Sequence, residues 1–382
     1  MSFRPSLKIN PNVITWAIKR SGKTDAEINK KFPKIEQWID GTYKPTFKQL
    51  ENFCATTHIN LCDLYSEVVP NKNLPIADFR TISGRKKEPS PELYDTIMSL
   101  GYRQDWLTDY FQNLGCEKID FVGSITADTP IIEAVEKTRT FLKLELDWAF
   151  STSSVHEAFK TLRDKLEEKR ITVIVNSVVN DNTSRKLDLE EFRGFVLADS
   201  YAPFIFINGR DAKAAQLFTL VHELVHLGLS ETGVVEPNEN NALANNEIET
   251  FCDKVTAEFL VPKNLFLGLW NKNVSLTKAI SAEERRFKTS FVVCARKAYE
   301  CDLISSTELS EILKKHQREV SKLPVKKGKG DYYRTKGNKK HFRKKDRKLI
   351  SDWIKEYNTE IRNNWNNIEN GEKVCKIQPH TK

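Results

Sequence analysis

His222 and His226 stand four residues apart inside the apolar run Leu217-Phe218-Thr219-Leu220-Val221-His222-Glu223-Leu224-Val225-His226-Leu227. Ala214, Leu217, Phe218, Leu220, Val221, Leu224 and Val225 recur with helical spacing, so a helix is expected from near Asp211 to about Gly228. Positions i and i+4 of a helix project from one face, which lets both imidazoles reach a single cation. Glu223 then lies about 100° around the helix, placed to take a proton from water at the metal without being a ligand itself. Two imidazoles and a carboxylate are costly to bury in so apolar a helix unless they have a partner.

Zinc bound for catalysis takes three protein ligands and keeps a fourth position open. Glu249, 23 residues beyond His226 on the next expected helix (Asn246 to Phe259), is the best candidate for the third ligand. Asp253 is four residues further on, on the same helix face, where its carboxylate can take the ring N–H of a zinc-bound histidine. Glu247 and Glu258 are nearby carboxylates and stay open as alternatives.

The rest of the chain reads as a small sheet among helices, an α+β architecture. Ile171 to Val175, Phe192 to Leu197 and Pro203 to Asn208 are rich in Val, Ile and Phe and are expected as strands. Helices are expected from Ser90 onward through Leu93, Ile97, Leu100, Trp106 and Phe111, then over Ile131 to Lys143, Ser153 to Lys169 and within Leu276 to Lys315. The boundaries read from the sequence are a helical module over residues 1–69, a proline- and lysine-rich linker over 70–89, an α+β domain over 90–320 and a basic segment over 321–382.

The run Phe218 to Leu227, preceded by Gly194-Phe195-Val196-Leu197-Ala198-Asp199 and Pro203-Phe204-Ile205-Phe206-Ile207-Asn208, resembles the ImmA/IrrE family of metallopeptidases. The stretch Glu249 to Pro262 resembles the second signature of that family, and the likeness covers about residues 170 to 265. The resemblance implies a zincin-like domain in which His222, His226 and Glu249 bind Zn2+ and Glu223 is the general base. It implies a protein substrate, such as a transcriptional repressor or an antitoxin, cut at one site. A strand between Phe195 and Ile207 could serve as a sheet edge for an extended substrate, and Tyr201 and Tyr299 are candidate hydrogen-bond donors to the transition state.

In the first 66 residues, Thr24 with Glu27 and Thr46 with Gln49 have capping-box spacing, and four short helices follow: Val13 to Arg20, Asp25 to Phe32, Lys34 to Asp40 and Phe47 to Thr57. Trp16, Trp38 and Leu50 are expected in their core. Trp38 to Gly41 with Lys44 to Glu51 resembles the Xre-like helix-turn-helix family, and Pro75 to Thr81 resembles the junction found where that module precedes an ImmA/IrrE peptidase. The resemblance puts the helix from Lys34 to Asp40 in the recognition position, with Lys30, Lys31 and Lys34 as candidate DNA contacts. Against that, this region holds ten basic and six acidic side chains, and Glu36 and Asp40 would face phosphates unfavourably. Protein docking is the competing role. A DNA-binding regulator or toxin-antitoxin component, with the metal domain as its sensor, is the alternative to a protease.

The net charge of +8 is concentrated: Lys314 to Lys348 holds sixteen Lys or Arg against three acids. Such a run can neutralise phosphates or lie in solvent. Beyond it, Ile350, Trp353, Ile354, Ile361 and Trp365 have the spacing of a terminal amphipathic helix. Seven scattered cysteines without Cys-x-x-Cys spacing suggest free thiols in a reducing cytoplasm. No apolar run approaches a membrane span.

Overall fold

A computed structural model describes residues 9–69, 90–229 and 242–322, and the side chains of 242–246 and 321–322 are not described. The chain divides into two compact units, Met1–Arg318 and Glu319–Lys382. The expected linker at 70–89 and, apart from residues 321 and 322, the basic segment with its terminal helix lie outside the described residues.

The amino-terminal helices are α1 (Pro11–Arg20), α2 (Asp25–Lys31), α3 (Ile35–Ile39) and α4 (Phe47–Thr57), followed by a 3-10 turn at Leu61–Tyr65. Both capping boxes form: Thr24 and Glu27 close the start of α2, Thr46 and Gln49 that of α4. Phe32, Trp38 and Phe53 meet with ring centroids 5.5 to 5.9 Å apart and anchor a core with Val13, Ile14, Ala17, Ile28 and Leu50. The helix expected over Lys34 to Asp40 is shorter. It stops at Ile39 because the Asp40 carboxylate accepts from Thr42 N (2.8 Å) and Oγ1 (2.6 Å), and Gly41 turns the chain at φ 80°. Trp16, expected in the core, is only half-buried, and the Arg20 guanidinium lies 5.5 Å from its ring.

Helix α5 (Pro91–Asn113) starts where Ser90 caps Leu93 N at 3.2 Å. Arg20 ties α1 to it, pairing with Asp95, lying 4.9 Å from the Tyr94 ring and donating to His58 O at 2.7 Å. Leu93, Ile97 and Leu100 are buried and Leu107 packs against the same core, but Trp106, expected on that stripe, is 65% exposed and stacks on Tyr110.

The remaining elements are α6 (Ile131–Leu142), α7 (Val155–Glu168), β1 (Thr172–Asn176), β2 (Val178–Val179), β3 (Asn182–Lys186), β4 (Gly194–Leu197), β5 (Phe204–Asn208), α8 (Lys213–Leu229), α9 (Ala242–Leu260), α10 (Lys263–Leu269), α11 (Leu276–Phe287), α12 (Phe291–Glu300) and α13 (Ser306–Lys322). The sheet order is β1-β5-β4, with β1 parallel and β4 antiparallel to β5. Of the expected strand segments, β5 is central and buried along its whole length, so the edges of this sheet are β4 and β1. Alternation along β5 divides its side chains between two cores. Ile205 and Ile207 join Val173 in the main helical core, whereas Phe204 and Phe206 pack with Phe195, Leu197 and the buried face of α5.

Helix α8 lies in the main core with Leu217, Leu220, Val221, Leu224 and Val225 fully buried. At about 1.5–3 kcal/mol for each such side chain, their burial offsets the cost of holding polar groups on the same helix. Two glycines permit its close packing. At Gly228 a Cβ would come within 2.7 Å of Ile125, where Gly123 N and Ile125 N donate to Leu227 O (3.3 Å) and Gly228 O (2.9 Å) and cap the helix end. At Gly194 a Cβ would meet Thr219 Cγ2 at 2.5 Å and Phe206 O at 2.9 Å. Gly194→Ala should therefore push β4 away from α8 and lower stability by about 1–3 kcal/mol in denaturant unfolding. An unchanged midpoint would show that this approach is not tight.

Candidate metal centre

The apolar face of α8 is fixed in the core, which turns His222 and His226 toward α9 packed beside it. Glu249 on α9 meets both. His222 Nε2 is 3.2 Å from Glu249 Oε2, His226 Nε2 is 3.2 Å from Oε1, and the two Nε2 atoms are 3.1 Å apart. Tetrahedral zinc with bonds of about 2.0–2.1 Å sets its ligand atoms about 3.3 Å apart. The two imidazole nitrogens, and each nitrogen with its own oxygen of the carboxylate, lie near that separation, and the donor set of two imidazoles and one carboxylate suits zinc. Among the described residues this is the one cluster of His, Cys, Asp or Glu with metal-ligand spacing.

The two alternative carboxylates are not at this cluster. Glu258 is held by Lys297 Nζ at 2.6 Å and caps α10 through Lys263 N at 2.9 Å. Glu247 is exposed.

Behind this cluster, Asp253 Oδ1 lies 3.1 Å from His222 Nδ1, as the i+4 spacing from Glu249 anticipates. It sits off the ring N–H direction, so the contact is an ion pair rather than an aligned hydrogen bond. Asp253 is 62% exposed, and solvent weakens the pair further. Sequence reasoning missed Cys252, whose Sγ is 3.7 Å from His226 Nδ1. The signal was its position three residues after Glu249, on the same face of α9.

Glu223 is buried, with its carboxylate against β4: Oε1 lies 3.3 Å from where a Gly194 Cβ would stand. Burial pushes its pKa up, opposed in part by the nearby His226 and His222. For His222 burial opposes the charged form, but the carboxylates of Asp253 and Glu249 outweigh it and lift the imidazole to about 10. Burial acts to raise the Glu249 carboxyl, yet hydrogen bonds from His222 and His226 hold it well below its ordinary value. The buried Glu249 carboxylate thus holds the two imidazoles together.

Lys30 and Lys31 are in the exposed last turn of α2, and Lys34 precedes α3 with its Nζ 4.1 Å from the Tyr43 ring. Tyr201 is in the turn between β4 and β5, where its N–H binds Asp199, and Tyr299 is exposed near the end of α12.

The shifts have a measurable sign. The raised His222 pKa stabilises the metal-free chain fully below its ordinary 6.5, and this is lost as pH rises toward about 10. The lowered Glu249 pKa contributes above its ordinary 4.5 and is lost as pH falls below it. Zinc needs a neutral imidazole, so near pH 8 its binding should release about one proton, and apparent affinity should climb ~tenfold per pH unit through this range. Calorimetry in buffers of different ionisation enthalpy reads that proton directly. Zinc uptake without proton release would contradict a protonated His222 in the metal-free chain.

Residues 166–299, from α7 into α12, match the peptidase family model described as the IrrE N-terminal-like domain. No curated protein matches the chain. The match spans β1, β4, β5, both site helices and every residue of the cluster, and it supports a metallopeptidase-type function for this part of the chain.

Proposed function

We propose that this chain is a zinc-dependent endopeptidase that cuts a regulatory protein, such as a transcriptional repressor or an antitoxin. The observation that carries the reading is the convergence of His222, His226 and Glu249 on one point, with the buried Glu223 on the same helix. Zinc held by those three residues supplies Lewis-acid polarisation of a peptide carbonyl and lowers the pKa of a water. Glu223 accepts the proton that the attacking water gives up and delivers it to the leaving amine nitrogen. Its burial suits both halves of that task, since a raised carboxyl pKa makes it a better base and lets it keep the acquired proton until the leaving amine takes it. Asp253 holds His222 from behind.

The sheet suits an extended substrate. Strand β4 ends the sheet, pairs with β5 on one side, and passes Glu223 at Gly194. A substrate segment laid along its other side gains main-chain hydrogen bonds and arrives beside the proton carrier.

A DNA-binding regulator with the metal domain as sensor is the second reading. It is favoured by the exposed Lys30, Lys31 and Lys34 at the junction of α2 and α3. Binding of the full chain to duplex DNA that is sequence-dependent and lost on Lys31→Ala with Lys34→Ala would support it.

The protease reading is tested by Glu223→Gln. Zinc content should be unchanged, while turnover falls by about 10²–10⁴-fold, the usual worth of a positioned acid–base group. Comparing proteomes of cells carrying the wild-type chain and the variant should reveal a fragment made only by the wild type. Cleavage at an undiminished rate in the variant would remove Glu223 from the reaction.

A further inference from the structure

Helix α9 places three different groups at successive positions of one face, Glu249, Cys252 and Asp253. Glu249 meets the Nε2 atoms of both histidines, and the other two residues meet what lies behind. The Nδ1 of His222 faces Asp253 at 3.1 Å, and the Nδ1 of His226 faces the sulfur of Cys252 at 3.7 Å. Each imidazole is therefore contacted at both nitrogens from the same helix.

We infer that Cys252 is a positioning residue for His226, its sulfur receiving the Nδ1–H and holding Nε2 toward the metal point shared with His222 and Glu249. This rests on the zinc reading above. A histidine that binds a metal through Nε2 carries its proton on Nδ1, and an acceptor there fixes both tautomer and ring orientation. A thiol sulfur is a weak acceptor but lies within reach. The two contacts also differ in kind. Asp253 is 62% exposed and anionic, whereas Cys252 is fully buried and less polar. His226 is thereby held without a second carboxylate in the protein interior, where an extra buried charge would be expensive.

The arrangement assigns distinct roles to neighbouring residues. Asp253 biases His222 electrostatically, and Cys252 fixes His226 by contact within the core. Cys252 belongs to the close-packed main core that also holds Val255, Phe259 and Val225, where a side chain has little room to move.

The test compares Cys252→Ser and Cys252→Ala in the full chain. Serine and alanine leave nearly the same space, but only serine keeps an acceptor. Zinc affinity is measured by competition with a chromophoric chelator, and thermal unfolding of the metal-free chain is measured alongside. Loss of an outer partner to a metal-bound histidine usually weakens metal binding about 10–100-fold. Alanine should therefore lose about tenfold in zinc affinity, and serine should recover most of it, while both variants share a similar metal-free stability. Equal losses in the two variants would assign Cys252 to packing alone and overturn the inference, as would alanine binding zinc like the wild type. A wild-type chain that binds no zinc would instead sink the metallopeptidase reading itself, so the two failures are told apart.

Discussion

The Glu249 carboxylate that spans His222 and His226 is the contact on which the site depends, because it fastens α9 across the helix carrying the histidines. Both helices are otherwise fixed by apolar packing, with Leu220, Leu224 and Val225 on α8 and Val255, Phe259 and Leu260 on α9 in one core. That packing makes the polar cluster affordable and brings His222, His226 and Glu249 together. The same burial shapes the chemistry. It raises the Glu223 carboxyl, and it makes an unpaired imidazole or carboxylate at this point costly enough that each group is drawn toward a partner.

The sheet contributes position rather than ligands. Strand β5 is buried along its length and fills both cores, which fixes β4 beside α8. Gly194 then allows the two backbones to approach until the sheet edge and the Glu223 carboxylate are neighbours. At the other end of α8, the 121–125 loop seals the carbonyls of Leu227 and Gly228, so the histidines stand on a helix anchored at its C-terminal end and along its apolar face.

Much of this was legible in the sequence because it rests on local periodicity and capping. The motif helix, the second helix with Glu249 and Asp253, and the capping boxes at Thr24 and Thr46 all use signals a few residues long. What was missed depended on tertiary context. The β2–β3 hairpin escaped because β3 is polar and without alternation, although Asn180 and Asp181, at φ 43° and 61°, form the kind of turn that Asn and Asp tolerate. The second half of α5 has core-like spacing, yet its Trp106 stays in solvent while Leu107 beside it packs against the core. Glu258 has the residue type of a ligand, but Lys297, distant in sequence, claims it. Cys252 was overlooked because a lone cysteine in an apolar helix reads as packing, and only the fold brings its sulfur to His226.

The most direct test of a centre built by His222, His226 and Glu249 is X-ray absorption at the zinc edge on the zinc-loaded chain. One zinc per chain, surrounded only by nitrogen and oxygen at about 2.0–2.2 Å with the outer-shell scattering of two imidazoles, is the expected result. A sulfur neighbour near about 2.3 Å would place Cys252 in the coordination sphere and contradict the assignment, as would a spectrum with fewer than two imidazoles.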